Sequence, residues 1–229
     1  MIFNNPNIIF LHIPKTGGNY FTNLFINYSE EEKYIQDDNI QDGKHRFTLR
    51  SNITNKKHVT LGEYEKKINI NDYDIYFIYR DPLERLLSGY FSPNRVLLKF
   101  KSSEVENFKF DLSLFKNFIR KEKSTTDYLY YNISNYRLKL FKFFNIKYSI
   151  KIENIQIKYF DFNHLNEDIN SFKIKYNFDL SNQNLNEKIN TSFHKNEISN
   201  LSKNKDLKDL VMNSHHFLDY QLKDKVKKI

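Results

Sequence analysis

The chain has 229 residues, 39% of them hydrophobic and 16% aromatic, enough to bury one sizeable core, so a single domain over residues 1–229 is expected. The formal charge of +8 suits an anionic partner, but Lys, Asn and Ile are used heavily from end to end, so the excess does not by itself mark a nucleic-acid surface. With no cysteine there is no disulfide and no thiolate metal site, and no stretch approaches the ~20 apolar residues of a membrane span; a soluble, cytoplasmic protein without a transmembrane segment is expected.

Asn7 to His12 is a short apolar run that ends at Ile13-Pro14-Lys15-Thr16-Gly17-Gly18, and Tyr20, Phe21, Leu24, Phe25 and Tyr28 follow at helical spacing. This reads as strand, tight loop and helix. Glu30 to Lys57 is polar and irregular, mostly loop with a short strand near Phe47 to Leu49, and His58 to Ile68 reads as a short helix. Tyr73 to Tyr79 is rich in β-branched and aromatic residues and predicts a buried strand. It runs into Arg80-Asp81-Pro82-Leu83-Glu84-Arg85, where Asp81 can cap, Pro82 suits the first helical position and Glu84 completes a capping-box arrangement. Phe108 to Phe118 and Tyr128 to Phe144 carry apolar residues at helical spacing, Ile150 to Phe160 alternates and should contain a strand, and Asn163 to Tyr176 and Asn196 to Lys227 read as helical. Strands alternating with helices argue for an α/β sandwich around a largely parallel sheet.

A glycine-bearing loop between a strand and a helix N-terminus gathers backbone N–H groups where the helix dipole also favours negative charge. Lys15 adds a full positive charge, Thr16 a hydroxyl, and Gly17 and Gly18 let a ligand approach the backbone. The nucleotide-kinase spelling GxxxxGK[ST] is absent, because here the lysine precedes the glycines. Arg80 closes the second buried strand and should emerge at the carboxyl edge of the sheet, where open α/β folds place ligands and where a guanidinium can grip a phosphate bidentately. On the helix that follows, ~100° per residue puts Asp81, Glu84, Arg85 and Ser88 on a polar side and Leu83, Leu86, Leu87 and Tyr90 on the other, so Arg80 and Ser88 can share one phosphate.

His-Ile-Pro-Lys-Thr-Gly-Gly at 12 to 18 and Arg-Asp-Pro-Leu-Glu-Arg-Leu-Leu-Ser at 80 to 88 resemble the 5′-phosphosulfate and 3′-phosphate motifs of Golgi-type carbohydrate sulfotransferases, in particular the heparan sulfate 2-O- and 6-O-sulfotransferase branch and its bacterial cousins. Tyr159-Phe160-Asp161-Phe162-Asn163-His164-Leu165 resembles the Phe-Glu-Asn-Leu-like turn of that family, Asn190-Thr191-Ser192 its Asn-x-Ser element, and Asp219-Tyr220 its tyrosine-containing end. The resemblance implies a P-loop-like three-layer sandwich and the co-substrate 3′-phosphoadenosine-5′-phosphosulfate, with no metal. It implies Lys15 near the bridging oxygen of the leaving group, the segment Pro14 to Tyr20 (Thr16, Gly17, Gly18 and Asn19 above all) around the 5′-phosphosulfate, Arg80 with Ser88 on the 3′-phosphate, and Ser192 in the donor site. Asn19 stands where the family usually has Thr, and Ser124 to Arg137 lacks the His and Gln pattern of many relatives, so acceptor recognition does not transfer.

The acceptor hydroxyl needs a base, and histidine titrates near working pH. His58 is the first candidate, since His58-Val59-Thr60-Leu61 resembles the His-Ala-Thr-like element that relatives carry before the second strand. His12 adjoins the loop and is the rival; His45 lies in a basic stretch with Lys44 and Arg46; His215 and His216 are placed in a surface helix with no role. Arg46, Arg50, Lys56 and Lys57 hint at an acidic acceptor, a carbohydrate or another hydroxyl compound. A kinase would need a Mg²⁺-holding acid at a strand end and Ser or Thr after a Gly-Lys pair, and a non-catalytic binder of RNA or acidic polysaccharide would use the interleaved aromatic and basic residues, although no RNA-recognition motif is present.

Overall fold

The structure is a computed structural model that describes residues 1–35, 47–92, 108–129, 157–181 and 194–229. Its frame is a five-stranded sheet in the order β1-β2-β5-β6-β7, built from β1 (Ile2–Asn4), β2 (Asn7–Leu11), β5 (Asp74–Tyr79), β6 (Ile157–Asp161) and β7 (Lys227–Lys228). The last four run parallel and β1 is antiparallel to β2. β2 and β5 are apolar on successive residues because both faces of the sheet are covered, which removes any in-out alternation. On one face Ile9, Leu11, Ile75, Phe77 and Tyr159 pack with α2 (Leu61–Glu65), α5 (Thr125–Leu129) and α9 (Phe217–Lys225). On the other Ile8, Phe10, Tyr76, Ile78 and Phe160 pack with α1 (Gly18–Phe25) and α6 (Leu165–Tyr176). The expected three-layer α/β sandwich with a largely parallel sheet is what forms. A third apolar cluster joins α3 (Pro82–Tyr90), α4 (Leu112–Lys121), α7 (Lys195–Leu201) and α8 (Lys205–Met212). Among the described residues no helix is long and apolar enough to cross a membrane.

The structure departs from the sequence reading where pairing is long-range. The edge strand β1 is absent from the sequence reading, and β7 pairs beside β6 where the expected helical stretch Asn196 to Lys227 runs out. The stretch taken as mostly loop holds a hairpin of β3 (Glu32–Ile35) and β4 (Phe47–Arg50). The short helix near His58 starts only at Leu61, fixed by a capping box between Thr60 and Glu63, so His58 lies in the approach to it rather than at its first turn. At α3 Asp81 caps as expected, accepting from the Leu83 and Glu84 amides, but Glu84 pairs with the Arg80 guanidinium at 3.5 Å instead of returning to the cap.

Two placements are corrected. The polar side of α3 is not open to solvent at Arg85: the residue is 2% exposed, because the end of α4 and the start of α9 lie over it and supply carbonyl and carboxylate partners. His216 is fully buried rather than on a surface helix, its ring tilted against that of His215 and bonded to the Ile119 carbonyl. Residues 130–144 and 150–156 of the expected helix and strand lie outside the described residues, as do His45, Lys44, Arg46 and the Asn190-Thr191-Ser192 segment.

Candidate functional site

β2, β5 and β6 end at one edge of the sheet, since Leu11 is level with Phe77 and Tyr79 with Asp161. All three exits meet there. From β2 the chain enters the loop, where Lys15 adopts φ 65° and Gly17 φ 93°. The left-handed region is open to glycine but costs a lysine about 1–2 kcal/mol, so something must hold Lys15 in it. Arg80, leaving β5, does so by donating Nη1 to the Lys15 carbonyl at 3.1 Å. Phe162, leaving β6, lies under the Arg80 guanidinium with its ring centroid at 4.3 Å, and with Leu165 it also flanks Gly17. Desolvation in this setting lowers the Arg80 pKa, opposed by Glu84, and the group stays charged at any working pH.

The Lys15 ammonium donates to Ser92 Oγ at 2.5 Å, and its stem runs beside Gly89, where an added Cβ would lie 3.9 Å from Lys15 Cγ. Arg80 thus meets Lys15 at its backbone carbonyl across the β2 and β5 exits, while the Lys15 ammonium is held at Ser92. Ser88 is half-buried on α3, one turn after Glu84, and four-residue steps also separate Arg80, just before the helix, from Glu84 and Ser88 from Ser92, just past the helix end. Ser92 was missed in the sequence, although this spacing extends directly from Arg80 through Ser88 to it.

The N-cap of α1 is Gly17, which has no side chain with which to cap the helix. The amides of a helix N-terminus, together with the helix dipole, favour an anion. The loop residues divide by what they already hold. Thr16 is buried and its hydroxyl donates to the Ile13 carbonyl at 2.9 Å, so its contribution to a ligand is its backbone amide. Tyr20 donates its amide to the Gly17 carbonyl and its hydroxyl to Asn166. Asn19 accepts from Lys57 Nζ at 3.2 Å, which brings a further cation to the loop, and Pro14 is half-buried ahead of Lys15.

Gly18 answers a spatial demand rather than a dihedral one. A Cβ there would lie 2.1 Å from Cδ2 of His12, whose ring is packed beneath the start of α1. His12 is 4% exposed, and its Nδ1 has no partner among the described residues. Its carbonyl takes a hydrogen bond from Nδ1 of His58 at 2.7 Å. A carbonyl only accepts, so Nδ1 carries the proton and the His58 lone pair sits on Nε2, the tautomer a base requires. Burial, with Lys57 and Lys15 nearby, lowers the His58 pKa to about 4, against the opposing bond to His12. The His58 ring centroid lies 4.9 Å from that of His12, which packs against Gly18, and this puts the base candidate near the loop. His12 is lowered well below the ordinary value, first by burial and then by His58 and Lys57.

Both histidines therefore fold neutral, while in the unfolded chain they titrate near 6.5. Between that value and about 4 the unfolded state binds the extra protons, so this part of the stability is complete above about pH 6.5 and is lost on acidification. Denaturant midpoints should fall from about pH 7 to about pH 4.5, and His58→Gln should flatten the decline. Equal slopes for the two proteins would contradict a neutral His58 in the fold.

Three strand exits that gather a lysine, an arginine and a helix N-terminus capped by glycine give an α/β fold of P-loop-like type with a cationic sheet edge. The sulfotransferase family model matches residues 1–205, and the chain belongs to that family. No curated protein and no solved structure matches the chain.

Proposed function

We propose that this sulfotransferase takes its sulfuryl group from 3′-phosphoadenosine-5′-phosphosulfate and places it on a hydroxyl of a carbohydrate-type acceptor, with His58 as general base. The observation that carries the reading is the meeting of Lys15 and Arg80, each on its own strand exit, joined through the Lys15 carbonyl. A donor with a phosphosulfate at one end and a phosphate at the other needs two cationic stations a short way apart. Lys15 with the amides of Thr16, Gly17, Gly18 and Asn19 serves the first; Arg80 with Ser88 serves the second, and Ser192 is assigned to the donor site with them. On its Phe162 platform the Arg80 guanidinium has Nη1 on the Lys15 carbonyl and Nε facing Glu84, and Nη2 is the nitrogen assigned to the 3′-phosphate.

In the transfer the acceptor oxygen attacks sulfur in line, its proton passes to Nε2 of His58, and the bond from sulfur to the bridging oxygen breaks. Adenosine 3′,5′-bisphosphate leaves, the charge on its bridging oxygen offset by the Lys15 ammonium and the loop amides. The scheme calls for no metal. Beside His58, Lys57 lies over the Phe47 ring at 3.9 Å and Lys33 at 4.9 Å, and Lys33 bonds Asn23 one turn beyond the Lys57 partner Asn19. This cationic strip along α1 favours an acidic acceptor. Arg50 is turned to Tyr34 and Lys56 to Glu63, so they add less.

The test is transfer of labelled sulfate from the donor to a panel of neutral and uronate-bearing oligosaccharides. His58→Ala should lower turnover by about 10²-fold or more while the protein still binds adenosine 3′,5′-bisphosphate. Turnover within a few-fold of the parent would remove His58 from the role of base.

A further inference from the structure

A buried ionic cluster lies one turn from the donor-binding edge and has no part in the scheme above. Arg85, on α3 between Arg80 and Ser88, donates Nη2 to the Lys123 carbonyl at 2.7 Å, stands 3.4 Å from His216 Nδ1, and faces Glu122 at 3.6 Å and Asp219 at 3.9 Å. Asp219 is fully buried on α9 and accepts from the Thr125 amide at 2.8 Å, the Thr126 amide at 2.8 Å and the Thr126 hydroxyl at 2.7 Å. His216 donates to the Ile119 carbonyl at 3.2 Å and His215 to the Glu122 carbonyl at 2.8 Å, so the C-terminal end of α4 is held by the same group. His216 and Asp219 both lie beyond the residues that the family model matches.

Apolar packing against α4, α7 and α8 fixes which side of α3 faces inward. The planar guanidinium of Arg85, engaged on its other side by the end of α4 and by α9, adds a directional restraint on the rotation of α3, because its donors point in fixed directions. The rotation of α3 matters at its far end, where Gly89 and Ser92 meet Lys15 and where Ser88 stands. We propose that Arg85 and Asp219 are positioning residues for sulfuryl transfer: they lock the azimuth of α3 and so set Ser88, Ser92 and the Lys15 ammonium against the reacting groups. The inference rests on the donor reading given above. Displacement of a catalytic group by about 1 Å can cost about 10²-fold in rate, so the lock has a measurable consequence.

A merely structural role and a positioning role separate in the double variant. Asp219→Asn or Arg85→Met alone leaves a buried charge unpaired and should lower the thermal midpoint. Arg85→Met with Asp219→Asn leaves no fully buried charge, since the remaining partner Glu122 is partly exposed to water, and should recover most of that loss. If the cluster positions α3, the double variant stays about tenfold or more below the parent in kcat, with KM for the acceptor within a few-fold. Arg85→Lys keeps the charge and loses the fork, so it too should fold and remain slow. Recovery of both midpoint and kcat in the double variant, or parental kcat in Arg85→Lys, would overturn the proposal. Failure of the donor reading would show differently, as a parent protein that transfers no sulfuryl group and does not bind adenosine 3′,5′-bisphosphate.

Discussion

Lys15→Gly is expected to give a more stable and nearly inactive protein. The backbone at Lys15 sits at φ 65°, and replacing the side chain with hydrogen relieves a left-handed strain of about 1–2 kcal/mol. The same change removes the ammonium that now bonds Ser92 and that would meet the charge developing on the leaving oxygen, a loss of about 10²-fold or more by comparison with single oxyanion donors. Lys15→Ala provides the control: it loses the same ammonium but keeps the Cβ, so turnover should fall as far without the gain in midpoint. Equal midpoints for the Gly and Ala variants would mean that the strand exit is not strained, and turnover near that of the parent in either would remove Lys15 from the chemistry.

Gly18→Ala should damage both stability and transfer, by a route that does not involve φ. The added methyl would lie 2.1 Å from Cδ2 and 2.3 Å from Nε2 of His12, well inside contact distance, and His12 is packed between α1, Phe10, Phe47 and His58. Either the start of α1 lifts or the ring is displaced. Overpacking of this kind costs about 1–3 kcal/mol, and lifting the helix by about 1 Å would take the loop amides out of register with their ligand, with a rate loss of about 10²-fold. His12→Ala in the same chain supplies the missing room and should restore part of both properties. Additive damage in the double variant would show that the two residues do not share this space.

The parts of the site that were legible in the sequence are those spelled by local chemistry. Lys15 to Gly18 after an apolar run, and Asp81-Pro82 after another, each declare a strand exit within a few residues, and the exits are where the sequence placed them. The convergence of the two on one edge follows from the parallel pairing of β2 with β5. What could not be read was set by residues far away in the chain. Helical spacing assigns Arg85 to one side of α3 but says nothing of what packs there, and its partners are at 122, 123, 216 and 219. The same limit hid the burial of His216. Strands β1 and β7 have three and two residues, too short for an alternation to declare itself, and exist because a neighbouring strand offers its edge. Phe162 was visible only as part of a resembling segment; that it would lie under Arg80 depends on β6 pairing beside β5. For His58 the sequence offered the residue, while the tautomer that suits a base comes from the His12 carbonyl.

The central claim is that Lys15 and Arg80 serve opposite ends of one doubly phosphorylated adenosine. Calorimetric titration of adenosine 3′,5′-bisphosphate into the parent protein and into Arg80→Met tests it most directly. A saturable one-to-one isotherm for the parent, weakened by about tenfold or more in Arg80→Met, is the result expected for loss of a charge-assisted contact to the 3′-phosphate. No binding by the parent, or equal affinities for the two proteins, would contradict it.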